Sequence, residues 1–314
     1  MKPIRNAENV EFKPAFVERY SKLTDWEPYK KISLTYLRKS IRVNTLKISV
    51  KDCIARLKDR FNLTPIPWSE DGFWIEHKKG RLDIGNTIEH ALGYYYVQEA
   101  ASMIPPLVLN PQPGEHVLDV AASPGSKSSQ IASMMENSGI LVANDVTGLR
   151  LAALGINLQR TGVVNSIITL CAGERIKGVM FDKILLDAPC SGTGTIRKSL
   201  KTLLMWNPDM IKRLAGLQRK LLVNAWSLLK PGGTLVYSTC SQEPEEDEAI
   251  VDFAIKNLSD VKVEQVKLPH LKSTPPITSF DGKEYSPEVK KCLRLWPQDN
   301  DTEGFFVAKL VKKD

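Results

Sequence analysis

The stretch "HVLDVAASPGSKSSQIASMMEN" (residues 116–137) runs from a short apolar strand through a turn of small residues into a helix. A strand that ends near an acid and gives way through Ala, Ser, Pro and Gly to a helix is a building unit of doubly wound α/β sheets, which bind ligands at the carboxyl ends of their strands. The same alternation continues downstream. "GILVAND" precedes the helical "GLRLAALGINLQRTG", and "NSIITL" and "FDKILLDAP" read as further strands. A long helical stretch ending "RLAGLQRKLLVNAWSLLK" leads into the strand "GTLVYSTC". "EPEEDEAIVDFAIKNL" reads as a helix with acids in its first turn, as the helix dipole prefers, and "EGFFVAKLVK" as a closing strand. The predicted architecture is an α/β sheet with helices on both faces.

Upstream the pattern differs. "IRVNTLKI" reads as a strand, "SVKDCIARLKDRFN" as an amphipathic helix capped by Ser49, and "TPIPWSEDGFWIEH" as a strand pair turned at Asp71-Gly72. This small α+β unit is placed at 1–92 and the larger sheet at 93–314.

The chain has 314 residues, 42% of them hydrophobic, enough for a sizeable core. Its five cysteines contain no C-x-x-C pair and its four histidines no ligand-like cluster, so neither a disulfide framework nor a metal site is expected. The start, "MKPIRNAENVEFKP", lacks the apolar segment of a signal peptide, and no apolar run is long enough to cross a membrane. A soluble, cytoplasmic protein without a membrane partner is expected. Net charge is +7, and residues 1–60 carry 15 Lys and Arg against 7 Asp and Glu. That asymmetry favours a polyanionic partner, although a solvated basic surface accounts for charge alone equally well. Arg38, Lys39 and Arg42 are candidate phosphate contacts.

The turn at 121–127 limits the cofactor. A P-loop requires Gly before its Lys, and here Ser126 precedes Lys127; a dinucleotide fingerprint requires three spaced glycines, and only Gly125 is present. What remains is a ligand without phosphates whose ribose needs a carboxylate. Asp145, 20 residues beyond Gly125 at the end of the next strand, supplies one. S-adenosylmethionine fits; a tight turn in an unrelated α/β protein is the alternative at this point.

Two cysteines, Cys190 in "DAPCSGTG" and Cys240 in "GGTLVYSTCS", fall just past strand ends that one crevice could contain. Methylating an unreactive aromatic carbon such as cytosine C5 requires electron density there. A thiolate adding at C6 supplies it, and a second group must then remove the C5 proton so that the thiol can be eliminated. The competing reading is that both are small buried residues, the commoner fate of a free cysteine and the one favoured for Cys53, Cys171 and Cys292.

Through "YYVQEAASMIPPLVL", "LDVAASPGSKSSQIA", "FDKILLDAPCSGTG", "GGTLVYSTCS" and "EGFFVAKL", in that order over most of residues 94–310, the chain resembles the RsmB/NOP2/Sun family of RNA cytosine-5 methyltransferases. The N-terminal "IRVNTLK" also matches the small RRM-like RNA-binding domain of such enzymes. The resemblance implies a Rossmann-like class I S-adenosylmethionine-dependent methyltransferase sheet. It makes Cys240 the nucleophile and Cys190 an aid to product release; Asp187 would contact base and cofactor, and Lys127 would orient the target. Ala121, Ala122, Ser123, Pro124, Gly125, Ser126, Lys127, Asp145, Arg150 and Asp187 would bind S-adenosylmethionine. The compact length resembles archaeal tRNA-modifying members, which favours tRNA over rRNA and a chain acting as a monomer.

Two departures accompany the resemblance. Relatives usually place an acid after the third strand for the adenine amino group, where "LCAGERI" offers Ala172; and the donor loop carries Ser123, Ser126 and Ser128 where relatives commonly have Ala, Gly and Thr. DNA cytosine-5 methyltransferases use the Pro-Cys cysteine as nucleophile, but "STCS" favours the RNA family. An "ENV" like theirs at Glu8–Val10 precedes every other motif. Amino-methyltransferases need a second proline where Cys190 stands. A catalytically silent RNA-binding or ribosome-assembly factor is the rival from another class; retention of both cysteines opposes it.

Overall fold

Neighbouring residues along the long strands point to opposite faces of one sheet, and both sets are apolar. Leu118, Ile184, Leu186, Leu235 and Tyr237 pack in one layer, while Val117, Leu185 and Val236 pack in the other. A strand buried on both faces needs such continuous apolar runs, and helices must cover each side. The computed structural model describes residues 2–80 and 83–314.

The N-terminal part contains α1 (Pro14–Leu23), α2 (Trp26–Ser33), β1 (Ser40–Val43), α3 (Val50–Leu57), β2 (Phe61–Ile66), β3 (Ser69–His77), α4 (Ile88–Ala91) and β4 (Tyr95–Val97). Its strands form an antiparallel sheet in the order β2-β3-β1-β4. Tyr95–Val97 is therefore an edge strand of the small sheet, lying beyond residue 92. The larger part contains α5 (Ile104–Leu109), β5 (His116–Asp119), α6 (Ser126–Met134), β6 (Ile140–Asp145), α7 (Gly148–Thr161), β7 (Ser166–Leu170) and β8 (Phe181–Asp187). It continues with α8 (Lys201–Met205), α9 (Pro208–Ser227), β9 (Leu229–Thr239), α10 (Glu248–Asn257), β10 (Val261–Glu264), the hairpin β11 (Ser279–Phe280) and β12 (Lys283–Glu284), β13 (Leu293–Leu295), α11 (Pro297–Asn300) and β14 (Phe305–Lys312). Its sheet has the order β10-β14-β9-β8-β5-β6-β7, with β13 on β14. Strands β9, β8, β5, β6 and β7 run parallel and β14 is antiparallel. Helices α9 and α10 cover one face and α5 and α6 the other. This is the expected Rossmann-like sheet with a small N-terminal α+β domain.

Ser49 caps α3, its Oγ accepting from Asp52 N at 3.1 Å, and Gly162 at φ 76° ends α7. Three local expectations fail. β1 stops at Val43, because Asn44 turns aside to donate to the carbonyls of Gly93 (2.8 Å) and Thr161 (2.7 Å). The turn between β2 and β3 lies at Pro67-Trp68, and Asp71-Gly72 sits inside β3, where Gly72 pairs with Arg42. A Cβ on Gly72 would meet Ser69 at 2.9 Å, so this glycine serves close packing and not a turn. α10 starts only at Glu248, so that one acid of the run lies in its first turn as expected, while Glu243, Glu246 and Asp247 are buried ahead of it.

The small sheet leans on the large one. Arg42 Nε donates to Gln98 Oε1 and its Nη2 to Ser129 Oγ on α6, each at 2.9 Å. Arg42 is fully buried, which corrects its assignment as a phosphate contact; Arg38 and Lys39 are exposed. Helices α1 and α2 pack Phe16, Tyr20 and Tyr29 against Trp206 and Trp296 of the larger part. Lys13 of the basic lead also bridges to the larger part, its Nζ donating to the carbonyls of Leu204 (3.0 Å) and Trp206 (2.9 Å).

Candidate active site

Strands β8 and β9 are parallel neighbours whose last pair is Asp187 opposite Ser238. The chain leaves each strand into a loop, and the loops carry Cys190 and Cys240 with their Sγ atoms 3.3 Å apart. Both side chains are only partly buried, unlike Cys53 and Cys292; Cys171, expected to be buried, is also only partly so. The Cys190 thiol is pushed well above its ordinary range, first by its hydrogen bond to Cys240, then by burial and by the charges of Cys240, Glu246 and Asp187. Burial also raises the Cys53 thiol, to about 11.

Lys127, from the first turn of α6, donates from Nζ to Asp187 Oδ2 at 2.7 Å, while Ser238 Oγ donates to Asp187 Oδ1 at 2.7 Å. Burial opposes the Lys127 charge, but Asp187, Cys240 and Asp119 outweigh it and hold the ammonium above its usual range. The ring of Phe305 lies 5.5 Å from Nζ. Cys190, Cys240, Asp187 and Lys127 therefore share one crevice at the carboxyl ends of the strands.

The donor loop fits a nucleoside without phosphates. Ala121, Ala122, Ser123 and Pro124 keep its side chains small, and Gly125 takes φ 102°, where a Cβ would press on Leu154 at 3.1 Å. Asp145, ending β6, accepts from Ser123 N (3.1 Å) and Val146 N (2.8 Å), and Arg150 Nε stands 3.3 Å from it. Arg150 Nη2 in turn donates to the Ser123 carbonyl at 3.1 Å. A carboxylate one strand away from a small-residue turn is placed to accept hydrogen bonds from the hydroxyls of a ribose. Ser126 opens α6, its carbonyl accepting from Ser129 Oγ at 3.0 Å. Ala172 follows β7, whose Leu170 pairs with Asp145, and presents no polar side chain to an adenine.

Several buried polar groups around these loops have partners that sequence pattern does not point to. Asp119, ending β5, accepts from Ser128 Oγ at 2.7 Å, and burial pushes its carboxyl up to about 7. Glu99, which accepts from Glu303 N at 3.1 Å, is pushed up to about 8 by burial and by the charge of Glu303. Glu243 accepts from Tyr20 Oη (2.9 Å), Trp206 Nε1 (3.0 Å) and Arg19 Nε (2.7 Å), tying α1 to the loop after Cys240. Arg294, fully buried, donates to both oxygens of Glu248 (2.7 and 2.6 Å) and to Asp247 (2.9 Å). Asp247 and Glu248 fold inward against this cation, while Glu243 and Glu245 pair with Arg19, both partners distant in sequence.

Residues 106–311 match the family described as 16S rRNA methyltransferase RsmB/F, and residues 12–100 match the N-terminal domain of 16S rRNA methyltransferase RsmF. The chain belongs to the RsmB/F (NOP2/Sun) family. It is 46% identical to the tRNA (cytosine(49)-C(5))-methyltransferase of Pyrococcus abyssi, over 94% of this chain and 95% of that protein. It is 44% identical to ribosomal RNA small subunit methyltransferase F of Photobacterium profundum, over 88% of this chain but 58% of that protein. A methyltransferase homologue from Pyrococcus horikoshii shares the structure with a TM-score of 0.87 and 41% identity, each chain covered to 97%. This RsmB/F protein is an S-adenosylmethionine-dependent RNA (cytosine-5) methyltransferase. Among the described residues no helix is long and apolar enough to cross a membrane, and no cluster of His, Cys, Asp and Glu could hold a metal.

Proposed function

We propose that this enzyme methylates a cytosine of tRNA at C5 through a transient bond between Cys240 Sγ and C6 of the base. The carrying observation is the pair of thiols at 3.3 Å beside the Lys127–Asp187 pair. Bound S-adenosylmethionine supplies an electrophilic methyl group, and the turn at 121–127 with Asp145 and Arg150 holds it. The Cys240 thiolate adds to C6, and the C5=C6 electrons become available at C5. Lys127 stabilises the negative charge that this addition pushes toward the polar edge of the ring, and Asp187 orients that edge. After C5 is methylated its proton passes to solvent water, the electron pair restores C5=C6, and Cys240 departs as thiolate. Cys190 assists by donating its S–H to the departing sulfur. The exposed Arg38 and Lys39 hold phosphates of the RNA.

Support for tRNA comes from the near end-to-end match with the Pyrococcus abyssi enzyme. rRNA is the second reading, favoured by both family descriptions. Bisulfite sequencing of total RNA incubated with the protein and S-adenosylmethionine separates them. New protection at a tRNA cytosine, with position 49 the first to inspect, supports tRNA; protection confined to 16S rRNA supports the second reading.

A further inference from the structure

Beyond Asp187 and Ser238 the sheet no longer pairs β8 with β9, apart from Ala188 N donating to the Ser238 carbonyl at 2.9 Å. Further along, Gly194 N donates to the Cys240 carbonyl and Gln242 N to Thr193 Oγ1, each at 2.9 Å, but these bonds hold the far side of the Cys190 loop, three residues or more past the thiol. Glu246, fully buried in the turn before α10, touches both cysteine loops. Its Oε1 accepts from Ser191 N (3.0 Å) and Gln218 Nε2 (3.0 Å); its Oε2 accepts from Ser241 Oγ (2.6 Å) and from Ser191 Oγ. Ser191 directly follows Cys190 and Ser241 directly follows Cys240, and their hydroxyls are 3.1 Å apart. Gln218 Nε2 also donates to the Pro189 carbonyl at 2.9 Å, and Tyr237 Oη donates to the Glu246 carbonyl at 2.6 Å. A buried carboxylate is costly, and this one has its demand met almost wholly by the two residues beside the thiols.

We propose that Glu246 is a positioning residue for the thiol pair, clamping the Ser191 and Ser241 loops so that Cys190 Sγ stays within reach of Cys240 Sγ. Resting on the covalent reading above, the clamp governs release of the RNA adduct more than its formation. Attack needs Cys240 alone, whereas release needs Cys190 beside it. The geometric half of the proposal stands without RNA.

Two measurements are made on Glu246→Ala and on Glu246→Gln, which keeps the volume but offers one acceptor oxygen, each checked for folding by thermal melting. Phenylarsine oxide condenses with two neighbouring thiols, forming two As–S bonds and releasing water, so mass spectrometry of the intact chain reads thiol proximity directly. The wild type is expected to be captured at both sulfurs, Cys190→Ser is not, and the folded Glu246 variants are expected to lose this capture. With RNA and methyl donor, the variants are expected to release adduct on the order of 100-fold more slowly, the cost of an ångström-scale misplacement. Full capture and wild-type release in a folded variant overturn the proposal. Lost capture in the Glu246 variants with no adduct even in Cys190→Ala upholds the clamp and overturns the covalent reading instead.

Discussion

Lys127 and Asp187 come from different units of the sheet, the first turn of α6 and the end of β8, yet Nζ and Oδ2 meet at 2.7 Å beside the thiols. With Ser238 on its other oxygen, Asp187 has one fixed orientation, and Lys127 is anchored by it. Replacing Lys127 with Met keeps the length and removes the charge. We expect kcat to fall on the order of 10²–10³-fold, the cost of losing one preorganised charge stabiliser. Single-turnover methylation with saturating RNA measures this, and an unchanged kcat would remove Lys127 from the chemistry.

Asp145→Ala is expected to weaken S-adenosylmethionine binding by roughly 1–3 kcal/mol, the cost of leaving buried polar groups unpaired. Ala172→Asp, which restores an acid beyond β7, is expected to tighten it. Isothermal calorimetry reads both changes, and unchanged affinity in Asp145→Ala would displace the ribose from this carboxylate.

The basic residues of the N-terminal part divide by burial. Arg38→Ala with Lys39→Ala is expected to flatten the slope of log affinity against log salt by a little under about one unit for each lost phosphate contact. Arg42→Ala is expected to leave that slope alone and to cost on the order of 1–3 kcal/mol of stability by stranding Gln98 and Ser129. Filter binding across a salt series, beside thermal melts, separates the two. A slope change in a folded Arg42→Ala would contradict its structural role.

That division marks where the sequence was readable and where it was not. The strand–turn–helix at 116–137 and the cysteines past β8 and β9 were legible because strand periodicity and small-residue turns are local signals. The same logic misplaced Asp71-Gly72, because a glycine required by packing against Ser69 looks identical to a turn glycine. Arg42 and the acids at 243–247 were misplaced for another reason. Charge counts say nothing about which side chains turn inward, and the partners that turn them, Ser129 for Arg42, Arg19 for Glu243 and Arg294 for Asp247, lie 87, 224 and 47 residues away.

Asp119 predicts a pH dependence. Its folded carboxyl titrates at about 7 against an ordinary 3.8, raised by burial, so between those values the folded state holds more protons than the unfolded one. Stability therefore falls as pH rises through that window, and the loss is complete above it. Asp119→Asn, which keeps the acceptor for Ser128, is expected to raise Tm at pH 8 by more than at pH 4. An equal effect at both values would mean that the carboxyl is not held protonated by burial.

The central claim is that Cys240 attacks and Cys190 releases, and a denaturing gel of enzyme mixed with labelled RNA and S-adenosylmethionine tests it most directly. Cys190→Ala is expected to attack, methylate and stall, giving a slowly migrating protein–RNA band, while Cys240→Ala gives neither band nor methylation. A band from Cys240→Ala with none from Cys190→Ala would make Cys190 the nucleophile and contradict the account.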